Sequence, residues 1–400
     1  MESMTEYNDE FWKWVSDHRK IDPYKLRLNY RSDTPWINDA IAQIENERRA
    51  KNKFGNVTES HLLPTLYPIE LSIEQSTTPR IAILHRQLAH ITPGSPFRIL
   101  EMTCGLGIDA SFLASDAATK LTAIELNPQI ASVAEYNFKA RENINIINGN
   151  SIDYLTNSNE YFNLIFIDPA RRDDSGGRVY NLHDCTPDVT QLLPLMASKS
   201  DVIMIKMSPM LDVTQTLRDL PQTTELYVVG ERGECRELLA IIDTHRQVAT
   251  PIITVWSDGS TFSFTQPEEA EAEASVSMPR QGEFLLEPSA AMMKAAPFKL
   301  ISQRYKSSMI HPNTHVYTAD YRPEDFAGKV YQIDEVLPYS SSNIKRIKKM
   351  KLNCDVAVRN FNIGAEELRL RLGINKSGDK RLLGITAADS KPYILFLSPA

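Results

Sequence analysis

Apolar residues recur along this chain with two different periods, and the change between them divides it. In PWINDAIAQIENERRAKNKF, Ile37, Ile41 and Ile44 fall at i, i+4 and i+7 with charges between, the spacing of one helical face. Asn38 or Asp39 stands where a cap would. The one strand-like run before Ile81 is the short, Pro-punctuated LLPTLYPIELSI, so residues 1–90 read as a helical region that packs on, or covers, the next domain. From Arg98 the texture changes. FRIL leads into the helical IDASFLAS, and LTAIEL into PQIASVAEYNFKAR, with Pro128 near its first turn. INIINGNS, YFNLIFIDPA and DVIMIKMS supply three more strands. Strands alternating with helices at this spacing predict βαβ units and a parallel sheet. ELYVVGERGECRELLAII reads as two further strands, an antiparallel edge hairpin. The fold class expected is therefore α/β, a doubly wound core over residues 91–250.

Beyond the core, QPEEAEAEASVSMPR (266–280) is acidic and small-residue-rich, and reads as a linker or exposed loop. Residues 251–319 hold this linker and a small accessory unit. KVYQIDEVLPYS, SSNIKRIKKMKL, CDVAVRNF, GAEELRLRLGI and ITAADSKPYILFL then alternate strand and helix, an α+β module over residues 320–400.

Composition narrows the class. With 42% hydrophobic and 24% charged residues among 400, the chain matches globular averages and excludes disordered or fibrous classes. No apolar run approaches the ~18–20 residues that cross a bilayer. MESMTEYNDEFWKW is acidic and aromatic where a secretory leader would be basic and then apolar. Cys104, Cys185, Cys235 and Cys354 lie far apart, which indicates neither a zinc cage nor a disulfide framework. The expectation is a soluble, cytoplasmic protein without a metal, and nothing in the sequence bears on oligomeric state. The net charge of −7 hides an asymmetry: residues 341–381 hold eleven Lys or Arg against four Asp or Glu. A basic module on an acidic body points toward an anionic partner.

Candidate chemistry gathers where the strands end. Glu101-Met102-Thr103-Cys104-Gly105-Leu106-Gly107 follows FRIL, a Gly-bearing strand-to-helix turn of the kind that lets backbone approach a ligand. Read alone, it is equally a tight βα turn. The next strand ends in Ile124-Glu125, where an acid can accept hydrogen bonds from two ribose hydroxyls. A dinucleotide fingerprint would need a third glycine, and Ala110 stands there. Glu101 would repel a pyrophosphate but suits a cationic sulfonium or α-amino group, which favours S-adenosylmethionine over NAD. Asn150, in NGNS after the third strand, could reach an adenine edge. Asp168, in FIDPARR, would face the reacting group from the crevice at the strand ends.

EMTCGLG, AIE, NGNS and FIDPA, in this order over about seventy residues, resemble a class I S-adenosylmethionine-dependent methyltransferase. LSIEQS, IDPARRD, IKMSPMLD, GECRELL, HPNTHVYTAD and VAVRNF resemble more narrowly a bacterial group with a THUMP-like carboxyl-terminal domain. The resemblance implies a Rossmann-like methyltransferase core and a THUMP-like domain over 320–400. It allows a ferredoxin-like unit within 251–319, and it implies RNA, tRNA or rRNA, as substrate. Glu101, Thr103, Gly105, Gly107, Glu125, Asn150 and Asp168 would then bind the cofactor, Asp168 also acting on the nucleophile.

One departure matters. Amino-directed nucleic-acid methyltransferases carry Asp/Asn-Pro-Pro and an aromatic, whereas here Ala170 and Arg171 occupy the last two positions. Arg171 and Arg172 could pair with phosphate. Lys206 ends the fifth strand and is a further catalytic candidate. Cys185 reads as a solvent-facing cysteine in a polar, Gly-rich loop, and Gln75 as a cap or a residue folded over the cofactor. Lys345, Arg346, Lys348, Lys349 and Lys351 are five basic residues in seven without an acid, a candidate phosphate-contacting surface. Two other functions remain open: methylation of a protein or small molecule, and non-catalytic RNA binding by a vestigial cofactor fold.

Overall fold

The computed structural model describes residues 7–30, 36–55, 60–67, 73–74, 76–171, 181–375 and 377–400. They fall into two compact units, Met1–Lys206 with Ile241–Gln247, and Met207–Ala240 with Val248–Ala400.

The first unit opens with helices α1 (Asp9–His18), α2 (Pro23–Asn29), α3 (Trp36–Phe54) and α4 (Pro79–Leu88). Each of the first two starts where a side chain accepts otherwise unpaired N–H groups, Asn8 for α1 and Asp22 for α2. Their apolar faces join one core containing Phe11, Val15, Ile41, Ile44 and Phe54, together with Leu106, Ile108, Phe112 and Val133. The helical region therefore packs on the helices that come after the first two strands, as its amphipathic spacing predicts.

Five parallel strands come next: β1 (Phe97–Glu101), β2 (Thr119–Glu125), β3 (Ile144–Asn148), β4 (Phe162–Ile167) and β5 (Ser200–Met207). Between them run α5 (Ile108–Leu113), α6 (Pro128–Phe138), α7 (Ser151–Asn157) and α8 (Val189–Ala197). Their spatial order is β5-β4-β1-β2-β3, and every pairing among them is parallel. Strand order reverses beside β1, which lies between β2 and β4. In such sheets the ligand crevice lies at that switch point, beyond the carboxyl ends. Ile99, Leu100, Leu164, Ile165, Phe166, Ile203 and Ile205 are almost fully buried, which is why these strands read as continuous apolar runs.

The second unit holds α9 (Val213–Asp219), β6 (Glu225–Glu231), most of β7 (Glu234–Asp243), β8 (Ile252–Ser257) and β9 (Ser260–Phe264). β8 pairs with β6 in parallel and with β9 antiparallel. β8 and β9 form an antiparallel hairpin later in the chain than the pair the sequence suggests. Residues 266–280 are mostly exposed, as read from the sequence, but begin with a short helix, α10 (Gln266–Glu271), opened by a capping box between Thr265 and Glu268, and Glu269 accepts the N–H groups of Lys299 and Leu300.

The remainder builds an eight-stranded sheet, whose longer members are β10 (Phe284–Pro288), β11 (Gly328–Pro338), β12 (Cys354–Arg359), β13 (Lys380–Thr386) and β14 (Pro392–Pro399). α11 (Ala290–Ala295) and α12 (Phe298–Arg304) come between β10 and β11, and α13 (Ser341–Met350) and α14 (Ala365–Leu372) flank β12. Glu287 on β10, almost fully buried, accepts hydrogen bonds from Arg359 and Arg381, at 2.9 and 3.0 Å. This carboxylate ties β10 to β12 and β13.

Candidate active site

Register brings the site together. Glu101 lies opposite Ala123 on β2 and Phe166 on β4, Glu125 opposite Asn148, and Ile167 opposite Ile205. Continuing each pairing by one or two residues sets Lys206, Asp168, Thr103, Glu125 and Asn148 in one row across the carboxyl edge of the sheet. Four of the five strands contribute a residue named from sequence.

The turn after β1 is the centre of the row. Met102 N–H donates to the Phe166 carbonyl and Cys104 N–H to the Ile124 carbonyl, both at 2.9 Å, so β1 remains tied to both neighbours just past its end. The chain then turns through Gly105 at φ +56° and Gly107 at φ +76°, in the left-handed region that L side chains rarely adopt. A Cβ on Gly107 would lie 2.3 Å from Phe138 Cε2, whereas one on Gly105 would meet nothing within 4 Å. Gly107 is required by the fold, and Gly105 keeps one side of the turn open.

Glu125 is bound to that turn. Its Oε2 accepts Gly105 N–H and its Oε1 accepts Asn127 N–H, each at 2.8 Å. Each carboxylate oxygen retains acceptor capacity, which is what two ribose hydroxyls require. Asn148 Nδ2 donates to the Glu125 carbonyl at 2.9 Å. Asn150 lies two residues beyond the row, where its side chain caps α7 by accepting Ile152 N–H.

On the other side of β1, Asp168 N–H donates to Thr103 Oγ1 at 2.7 Å, and the Asp168 carboxylate forms an ion pair with Lys206. Two residues read independently from sequence as catalytic candidates are thus one unit. The Lys206 side chain is 13% exposed and that of Asp168 39%, so the carboxylate is the more open half. The Arg171 side chain and Arg172 lie outside the described residues, as does Gln75. Cys185 differs from expectation. It is buried, and its backbone pairs in register with Arg171. Burial pushes the Cys104 thiol well up, with Glu101, Glu125 and Asp109 adding to the effect, which keeps it un-ionised.

Beneath the row lies a carboxyl cluster. Glu101 is 1% exposed, and its Oε2 has no hydrogen-bond partner among the described residues. Leaving such a group unpaired costs about 1–3 kcal/mol. Burial pushes its carboxyl well above the usual carboxylate range; Asp109, Asp168 and Glu125 push it further, while Lys206 opposes them. Asp109, in the first turn of α5, is handled differently. Burial alone would raise it, but His85 Nδ1 at 2.8 Å and the Thr77 hydroxyl at 2.5 Å hold it below the usual range, with Lys206 assisting. The Thr77–Asp109–His85 group fastens α4 to α5 under the glycine turn. Nothing in the spacing singles it out: an acid in a first helical turn is ordinary, and a histidine on an apolar helix face reads as core.

In the second unit the basic run is not uniform. Arg346 pairs with Glu335 through two hydrogen bonds, at 2.9 and 3.1 Å, so it is not one of the open cations. Arg359, Arg369, Arg371 and Arg381 are likewise paired with carboxylates. Lys345, Lys348, Lys349 and Lys351 are largely exposed and form no ion pair among the described residues. Among those residues no group of three or more His, Cys, Asp or Glu could hold a metal ion. No helix among them is long and apolar enough to cross a membrane.

Comparison with known proteins extends this geometry. Residues 284–326 match the model of a ferredoxin-like domain and residues 328–398 that of a THUMP-like domain. No curated protein matches the sequence. Among solved structures, a candidate methyltransferase from Porphyromonas gingivalis W83 superposes with a TM-score of 0.82 at 27% identity, over 99% of this chain and 100% of that one. A candidate rRNA methylase from Clostridium thermocellum matches over 42% of this chain and 98% of its own, at 10% identity and a TM-score of 0.31. The chain has the class I methyltransferase fold, joined to ferredoxin-like and THUMP-like domains.

Proposed function

We propose that the protein transfers a methyl group from S-adenosylmethionine to RNA, tRNA or rRNA. The observation that carries the cofactor assignment is the row at the sheet edge, where an open glycine turn lies hydrogen-bonded to Glu125 and above the buried, unpaired Glu101. A carboxylate at the second strand end suits ribose hydroxyls, and an orphaned buried carboxyl suits a cation and disfavours a pyrophosphate. The residues present therefore fit this cofactor. Thr103, Gly105, Gly107, Glu125 and Asn150 would hold it, with Glu101 and Asp168 facing its charged end. When bound, it supplies an electrophilic methyl group on a sulfonium.

Asp168 would accept the hydrogen bond or proton of the incoming nucleophile, and Lys206 would hold that carboxylate in place. Displacement in this geometry depends on alignment more than on strong acids or bases. The assignment to RNA is supported by the THUMP-like match over 328–398 and by the four open lysines of α13 and its cap. The description of the Porphyromonas gingivalis protein as a methyltransferase agrees with this reading.

The test is transfer of labelled methyl from S-adenosylmethionine into RNA from cells lacking the gene, followed by mass spectrometry of nucleosides. Wild type should label RNA. Asp168→Asn should not, while binding S-adenosylhomocysteine within a few-fold of wild type. Label in protein, or turnover retained by Asp168→Asn, would overturn the substrate or the role.

A further inference from the structure

The Glu101 carboxyl is nearly inaccessible and, among the described residues, its Oε2 is unpaired, yet it lies among charged groups from several elements. Asp109 approaches from α5, Asp168 from the end of β4, Glu125 from β2 and Lys206 from β5, with the Cys104 thiol on its own loop. Three of these are carboxylates. The one ammonium among them, that of Lys206, is already paired with Asp168, and His85 beside Asp109 is spent on that carboxylate. An ionised Glu101 would thus be a buried charge with an unpaired oxygen and, among the described residues, no counter-ion of its own, an arrangement proteins avoid by neutralising the group.

We propose that Glu101 holds a proton in the protein alone and releases it when an organic cation, the onium or ammonium end of the cofactor, takes the proton's place. Binding is then an exchange of one positive charge for another, and the proton leaves to solvent. This makes Glu101 a selector of ligand charge: it admits a cation at neutral pH and gives nothing to a neutral or anionic analogue. The inference rests on the cofactor reading above. It also carries its own signature. Below the pH at which Glu101 ionises unaided, affinity for S-adenosylmethionine should rise about tenfold per pH unit, because one proton is expelled on binding.

Calorimetry at neutral pH, repeated in buffers of differing ionisation enthalpy, measures that proton directly. Wild type with S-adenosylmethionine should release about one proton per site, and Glu101→Gln should release none and bind with flat pH dependence. Release with S-adenosylhomocysteine as well would identify the ammonium as the exchanging cation, and release with S-adenosylmethionine alone the sulfonium. Binding with a buffer-independent enthalpy in wild type overturns the proposal while leaving the cofactor reading intact. Infrared spectra of the protein alone test it without any ligand. A protonated-carboxyl band at neutral pH should be present in wild type and absent from Glu101→Gln, and its absence from wild type overturns the exchange even if neither ligand binds.

Discussion

Gly105 and Gly107 stand two residues apart in one turn, yet a methyl group added at each has a different consequence. Alanine at Gly105 incurs only the left-handed backbone penalty, about 1–2 kcal/mol. Alanine at Gly107 incurs the same penalty and also drives its Cβ into the Phe138 ring, an overpacking of about 1–3 kcal/mol more. Urea denaturation should rank Gly107→Ala well below Gly105→Ala, while S-adenosylhomocysteine binding should suffer in both. Equal stability losses would remove Phe138 as the reason for that glycine. Glu125→Ala should weaken S-adenosylhomocysteine by roughly ten- to a hundredfold, about 1.5–3 kcal/mol. Glu125→Gln should fall between Ala and wild type, because one acceptor still reaches Gly105 or Asn127. An unchanged dissociation constant in Glu125→Ala would exclude ribose contact at β2.

Two predictions belong to helices. The Asp109 pair with His85 and Thr77 joins α4 to α5, and breaking a buried pair of this kind costs about 3–5 kcal/mol. Because Asp109 is held below its ordinary range, the stability it contributes is complete above the unfolded carboxylate range. That stability is lost as pH falls through the lower, folded value. Asp109→Asn should therefore be less stable at neutral pH and show a shallower acid limb in denaturation midpoints measured against pH. A variant with the wild-type acid limb would mean the pair is not ionised. For α13, changing Lys345, Lys348, Lys349 and Lys351 together to Gln should reduce the salt dependence of RNA binding, by about 0.7 of slope per lost contact on a single strand. Arg346→Gln should leave that slope nearly unchanged, since Glu335 already neutralises Arg346. The sequence shows all five cations alike, because the acid that separates them lies on β11.

At the scale of the whole chain, what was legible depended on how far apart the partners lie. The parallel core was visible because strands buried on both faces are continuous apolar runs, and each of four ends in a residue of unusual type: Glu101, Glu125, Asp168 or Lys206. The row across the sheet edge, with Glu101 beneath it, was not, since it needs register between strands whose residues lie up to 65 positions apart, as Thr103 and Asp168 do. Composition marks 266–280 as exposed but cannot show that Glu269 there serves backbone groups thirty residues downstream. The path of β7, which begins in the second unit and ends in the first, has a consequence of another kind. Thr244 N–H and hydroxyl bond the carbonyls of Asp201 and Ser200, and His245 bonds the Asp201 carboxylate, so residues 241–247 finish the entry to β5. During synthesis those residues emerge about forty positions after Lys206, roughly 2–8 seconds at ~5–20 residues per second. For that interval the nascent chain carries every residue of the site row while the strand holding Lys206 lacks part of its support.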